Sequence, residues 1–207
     1  MAAVAGRGDG GSVAESVGAP ARARCKAGRM ARIEVRRTGG EQDGADLAEL
    51  FGRGGASNGC WCQYWLLGAD YHRRDRELNR EALAGQVRAG EAGLLARSAG
   101  QPVGWARLTR RSALPYLMFR FDLPRGDPMA MPCFYVPARY RGQGVMRALI
   151  GAAIAAEPEL EAYPVDPAVP RATRNRFTGV LPVFLASGFT EVARLGSDRA
   201  VVRYRRE

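Results

Sequence analysis

Lysine is almost missing from this chain. Lys26 is the only one, so nearly all of the 31 basic side chains are arginine. A glycine-loop nucleotide site of the Gly-Lys-Ser/Thr type is excluded wherever its lysine would be needed. Histidine is equally scarce, with His72 alone. A Ser-His-Asp or Cys-His triad would have to run through His72, which lies in a charged, helix-like stretch, so triad chemistry is set aside. Cysteine is sparse: Cys25, Cys60, Cys62 and Cys133. Cys60 and Cys62 are too close for the usual structural zinc pair, and no metal is expected. No apolar run is long enough to span a bilayer, and Met1–Gly28 contains no apolar signal segment. A cytoplasmic protein with reduced cysteines and no membrane partner is the expectation.

What is present describes a globular chain. Hydrophobic residues make up 46% and charged residues 25%, enough to bury a core and keep a solvated surface. The net charge of +10 fits either an arginine-rich surface or a polyanionic ligand. Residues 1–29 are rich in Gly, Ala and Ser without apolar periodicity and read as a disordered extension. Residues 30–207 read as one domain.

Patterning divides that domain. Ile33 and Val35 alternate with charged residues, a half-buried strand. Leu47, Leu50 and Phe51 share a helical face that Gly52 ends. "DRELNREALAGQVRAG" places Leu78, Leu83 and Val87 near helical spacing, with Gly90 as the stop. Residues 94–97 and 103–109 read as a hairpin around "SAGQPV", and the proline-rich stretch after it as a loop or irregular strand. "PCFYV" is an apolar strand, and residues 144–156 form a helix with Val145, Leu149, Ile150 and Ala153 inward. "LEAYPV" is another strand, and a short helix ends at Gly188. An antiparallel pair closes the chain. The strand–loop–helix–strand unit implies a parallel pair inside an otherwise antiparallel sheet: an α/β (α+β) fold.

The densest chemistry is "VPARYRGQGVMRALI", residues 136–150. It follows a buried strand and opens a helix. The first amides of a helix lack internal partners, and the dipole adds positive charge there. Gly142 and Gly144 permit backbone turns that aim amides at one anion, and Arg139 and Arg141 can bind phosphate oxygens. From the residues alone, a plain turn before a helix stays open beside a phosphate cradle. A dinucleotide loop would need a third glycine where Arg147 stands.

The pattern Arg139-x-x-Gly142-x-Gly144 resembles the coenzyme A loop of the Gcn5-related N-acetyltransferase (GNAT) superfamily. "FLASGFTEVAR" is similar to that family's final helix, Gly-Phe turn and strand, and the likeness runs from about Met30 to Arg205. "GCWCQYW" together with "EAYPVD" is similar to a bacterial subgroup with a Cys-Trp-Cys segment. The resemblance implies a single domain whose central parallel strands splay apart. It implies an acyl-CoA-dependent N-acyltransferase, most simply acetyl transfer from acetyl-CoA to a small-molecule amine by direct attack, without a metal. Phe134, Tyr135 and Val136 would run beside the pantetheine arm. Arg139, Arg141, Gly142, Gln143, Gly144, Val145 and Met146 would wrap the pyrophosphate. A homodimer is compatible with the family.

Two departures matter. Where many relatives carry a tyrosine acid, four residues before the Gly-Phe glycine, this chain has Phe184, and "MAMPCFYV" offers no glutamate base. Tyr163 is the replacement acid suggested here, against a role as a core or rim tyrosine. Asp166 is the suggested base, against a role as a turn cap. Glu161 would share a strand face with Tyr163. Cys133 reads as inert core rather than a nucleophile. Trp61, Tyr64 and Trp65 either line an apolar acceptor pocket or pack a helix on the sheet. Two alternatives accompany the leading reading. One is an aminoacyl-tRNA-dependent transferase, suggested by the basic loop "RATRNR" and the missing acid–base pair. The other is a non-catalytic coenzyme A-binding module.

Overall fold

In the computed structural model, residues 31–56, 58–170 and 176–206 are described. The extension read at residues 1–29 lies outside them. Among the described residues, no helix is long and apolar enough to cross a membrane.

The fold is mixed α/β. Strand β1 (Ile33–Arg37) precedes helix α1 (Glu41–Phe51), the short helix α2 (Tyr64–Leu67) and helix α3 (Arg76–Arg88). The hairpin follows as β2 (Gly93–Ser98) and β3 (Gln101–Arg107), then β4 (Thr109–Arg110). Its turn is only Ala99–Gly100, both at positive φ, tighter than the six residues that the sequence suggested. Next come helix α4 (Pro115–Arg120), β5 (Met129–Met131), β6 (Phe134–Tyr135) and helix α5 (Val145–Ala156). The chain closes with β7 (Glu159–Ala162), helix α6 (Leu181–Leu185), β8 (Thr190–Arg194) and β9 (Ala200–Arg205). The stretch expected to be a loop contains α4 because Pro115 sits in its first turn, where its fixed φ and missing N–H are tolerated.

Two sheets result, ordered β1-β2-β3-β6 and β4-β5-β7-β9-β8. Their junction is a split. β3 and β4 form one bent course, and β5 and β6 another, interrupted at Pro132–Cys133. β5 pairs parallel with β7 through Met131↔Ala162. Beyond that point β6 stays with β3, while β7 stays with β9. The parallel strands therefore diverge, which leaves one edge of β6 without a strand partner among the described residues.

Alternation on β2 and β3 sends side chains to two cores. Leu94, Ala96 and Ala106 pack with Val145, Leu149, Ile150 and Ala153 of α5. Leu95 and Trp105 pack with Leu47, Leu50 and Phe51 of α1 and with Leu83 and Val87 of α3. Leu78 is exposed, contrary to the expected apolar face, and Asn79 is buried in its place. Asn79 Nδ2 donates to Gly59 O and Tyr71 O, both at 3.0 Å, and so holds the Cys-Trp-Cys segment against α3. Asp75 caps α3 by accepting from Glu77 N at 2.9 Å.

α1 also carries two acids inward. Asp43 accepts from Gly39 N at 2.7 Å, from Arg36 and from Arg97. Asp46 pairs with Arg97 as well. This network ties α1 to β1 and β2.

Candidate active site

Gly142 and Gly144 have φ of +73° and +84°, and Gly144 is the N-cap of α5. A Cβ at either glycine would meet nothing within 4 Å, so open space rather than crowding lies over this turn. Among the described residues, the amides of residues 142–147 have no backbone acceptor. α5 is 12 residues long and has no acid in its first turn. A row of unpaired N–H groups at the positive end of a helix is a seat for an anion.

That seat is one end of a groove of about 680 Å³. Of the residues that the sequence assigns to cofactor binding, Phe134, Val136, Arg141, Gly142, Gly144, Val145 and Met146 line it. Tyr135, Arg139 and Gln143 do not. Tyr135 stacks on Phe177, with centroids 6.3 Å apart. The Arg139 guanidinium lies 4.7 Å from the Tyr140 ring centre, and Gln143 Nε2 donates to Arg139 O at 2.8 Å. The groove also takes in Tyr140, Arg147, Phe177, Gly179, Val180 and Val183. The last four lie more than thirty positions beyond the loop, and no local signal links them to it. Gly179 is needed there: φ is +81°, and a Cβ would run into Met146 and Phe184.

A second cavity, of about 340 Å³, lies on the other side of the split. Tyr64, Trp65, Tyr71, Phe121 and Phe177 supply its aromatic wall, and Cys60, Cys62 and Cys133 its sulfur wall. Asn58, His72, Thr178 and Arg199 add polar groups. Trp65 is fixed by its Nε1 donating to Pro132 O at 2.8 Å. Trp61 belongs elsewhere. It is buried against Phe51, centroids 5.3 Å apart, and borders other surface hollows beside Arg80. So Tyr64 and Trp65 reach this pocket, whereas Trp61 packs a helix. Phe177 lines both cavities, and the adjacent residues Cys133 and Phe134 each line one of them.

The sulfur wall is electrostatically unusual. Cys62 Sγ and Cys133 Sγ are 3.2 Å apart, and Trp105 Nε1 donates to Cys62 Sγ at 3.2 Å. The buried Arg107 has no carboxylate partner among the described residues, and its Nη2 donates to Gln86 Oε1. Cys62 is drawn below the ordinary thiol range, first by the Cys133 thiol that it accepts from and then, against burial, by Arg107 and Trp105. Cys133 is held well above it by the same hydrogen bond and by burial. Burial and the charge on Cys62 push Cys60 up to about 11. No cluster of three or more His, Cys, Asp or Glu able to hold a metal occurs among the described residues.

The suggested acid and base do not reach either cavity. Tyr163 is fully buried, and its hydroxyl donates to Glu161 Oε1 at 2.7 Å. Glu161 also accepts from Arg111 Nη1 at 3.1 Å and Arg203 Nε at 2.7 Å. Burial and the Glu161 charge push the Tyr163 hydroxyl well above the usual tyrosine range. The tyrosine therefore completes a buried ion cluster and is not placed to protonate a leaving group. Asp166 accepts from Ala168 N at 3.0 Å and from Arg194 Nη2 at 3.0 Å. It caps its turn. Arg194 and that amide hold its carboxyl below the usual range, away from both cavities. Phe184 is fully buried between Phe134 and Phe189. Most of the basic loop "RATRNR", residues 171–175, lies outside the described residues.

The split sheet, the glycine turn at a helix start and the two cavities that share Phe177 describe a mixed α/β domain with an open groove at the sheet junction. The chain belongs to the Acetyltransferase (GNAT) family, whose model matches residues 60–166, just over half of its length. Solved structures share the fold. An acetyltransferase from Thermus thermophilus aligns with TM-score 0.51 at 14% identity, over 86% of this chain and 99% of its own. The histone acetyltransferase HPA2 and related acetyltransferase from Corynebacterium glutamicum aligns with TM-score 0.53 at 16% identity, over 84% and 97%. An N-acetyltransferase of Thermoplasma acidophilum in complex with coenzyme A aligns with TM-score 0.50 at 14% identity, over 84% and 99%. No curated protein matches the chain.

Proposed function

We propose that the protein is an acyl-CoA-dependent N-acyltransferase that moves a short acyl group, acetyl in the simplest case, onto the amine of a small molecule. One observation carries the reading: the anion-ready groove and the aromatic pocket meet at Phe177 and open on the consecutive residues Cys133 and Phe134. A donor in the groove and an acceptor in the pocket would thus meet at the split. The neighbour crystallised with coenzyme A supports the choice of donor.

In this reading the free amides at the start of α5 hold the pyrophosphate, with Arg141 and Arg147 at the groove wall. The pantetheine arm lies along the free edge of β6. Cys133 O accepts from Arg107 N at 2.9 Å, so by strand alternation the Phe134 amide faces the split. There it can donate to the oxyanion formed when the amine attacks the thioester carbonyl. Holding both reactants at one gap supplies much of the rate. The pocket wall offers the His72 imidazole to take the amine's proton, and no carboxylate among the described residues.

Calorimetric titration with coenzyme A and acetyl-CoA tests the donor. Binding is expected, and Gly142→Glu should weaken it at least tenfold by placing a carboxylate in the anion seat. Release of free thiol across a panel of amines then tests transfer. Absence of thioester binding by the full chain would overturn the reading.

A further inference from the structure

Arg199 stands apart from the other arginines around the site. It lines the aromatic pocket from β8–β9, far in sequence from the Cys-Trp-Cys segment that faces it. Its Nη1 donates to Tyr163 O at 3.0 Å and to Thr178 Oγ1. Those two bonds fix the plane of the guanidinium. Among the described residues nothing accepts from Nε or Nη2, and Arg199 makes no ion pair. Asp198, its chain neighbour, acts on it only at a distance. Burial accordingly draws its pKa below the ordinary arginine value. The unused Nε–Nη2 edge is the side of a guanidinium that matches the two oxygens of a carboxylate.

The rest of the pocket sharpens the point. No aspartate or glutamate lines it among the described residues, and residues 171–175 contain no acid in sequence. Cys60, pushed up to about 11, is a neutral thiol at neutral pH, and the charge that favours Cys62 is already met by Cys133, Arg107 and Trp105. A simple polyamine would bring positive charge to a wall that offers a guanidinium and aromatic faces. An amine that carries its own acid would satisfy that guanidinium. Five aromatic rings leave the remaining surface to an apolar or aromatic body.

We propose that Arg199 is the recognition residue for an acidic group on the acceptor, so that the acceptor is an amino-carboxylate with an aromatic or apolar body. The inference rests on the acyltransferase reading, and its test separates the two. Full-length protein saturated with coenzyme A is titrated with phenylalanine, phenethylamine, phenylacetate and spermidine, using calorimetry. Phenylalanine and phenylacetate should bind, and phenethylamine should bind about 10- to 100-fold more weakly than phenylalanine. Arg199→Met should remove that preference while coenzyme A affinity stays at the wild-type value, and Arg199→Lys should restore part of it. The wild-type ratio alone tests the idea if Arg199→Met does not fold. Equal or tighter binding of phenethylamine or spermidine overturns the proposal. So does failure of phenylalanine and phenylacetate to bind the coenzyme A-loaded protein, or an unchanged ratio in folded Arg199→Met. Failure to bind coenzyme A itself removes the underlying reading instead.

Discussion

Tyr163 and Phe184 show what individual residues do when the usual acid position is apolar. Phe184 closes the core between Phe134 and Phe189. Tyr163 keeps its hydroxyl, but spends it on Glu161, which also anchors Arg111 and Arg203. Removing that hydroxyl should cost stability and not chemistry. Tyr163→Phe is expected to lose about 1–2 kcal/mol of unfolding free energy in urea while kcat stays within twofold of wild type. A large fall in kcat with unchanged stability would return Tyr163 to the reaction. The sequence already placed Tyr163 and Glu161 on one strand face. It held no sign that two arginines distant in sequence would claim that face. Arg199 and Phe177 carry no local signal either. An arginine in a strand and a phenylalanine in a basic loop look ordinary until the chain closes them around a pocket.

At the scale of elements, the contact of α5 with the first sheet sets the position of the anion seat. Gly104 of β3 lies directly beneath Val145, and a Cβ there would overlap Val145 Cγ1. The helix can approach the sheet only because this residue has no side chain. Gly104→Val should lift the start of α5, costing about 1–3 kcal/mol in chemical denaturation. It should also weaken coenzyme A binding more than a substitution of equal cost in α3 would. Most elements were legible because their periodicity is local. β1, the hairpin, α1, α3, α5 and the closing pair all carry their own apolar pattern. α4 was not, because Pro115 reads as a break unless its place in a first turn is known. That β5 lies in the stretch read as a loop or irregular strand and continues into β6 was hidden too. It depends on Pro132 and on the divergence of the neighbouring strands, not on composition.

For the molecule as a whole, acid stability should report on the α1 network. Burial works to raise the Asp43 pKa, but the Gly39 amide, Arg97 and Arg36 outweigh it, so the folded value lies below the unfolded one. The resulting stability is fully present above about pH 4 and is lost as pH falls through the depressed folded value. Asp43→Asn is therefore expected to cost about 2 kcal/mol at neutral pH, because Arg97 keeps only Asp46 as a charged partner. The gap between mutant and wild type should close as the pH falls below about 4. Urea unfolding at a series of pH values measures both effects, and a gap that widens in acid would contradict the assignment.

The chain's own order of residues determined the class of fold, the elements with local periodicity and the glycine turn that starts α5. Each of these follows from backbone freedom and apolar spacing within a few turns or one hairpin. Tertiary structure alone decided which cavity lies across the split and that Phe177 joins it to the groove. It also decided that Tyr163 is buried and that Arg199 lines the pocket with its Nε and Nη2 donors unpaired among the described residues. Those outcomes depend on strands far apart in sequence meeting at one sheet junction, where burial and charge pairing are settled by neighbours that no local pattern names.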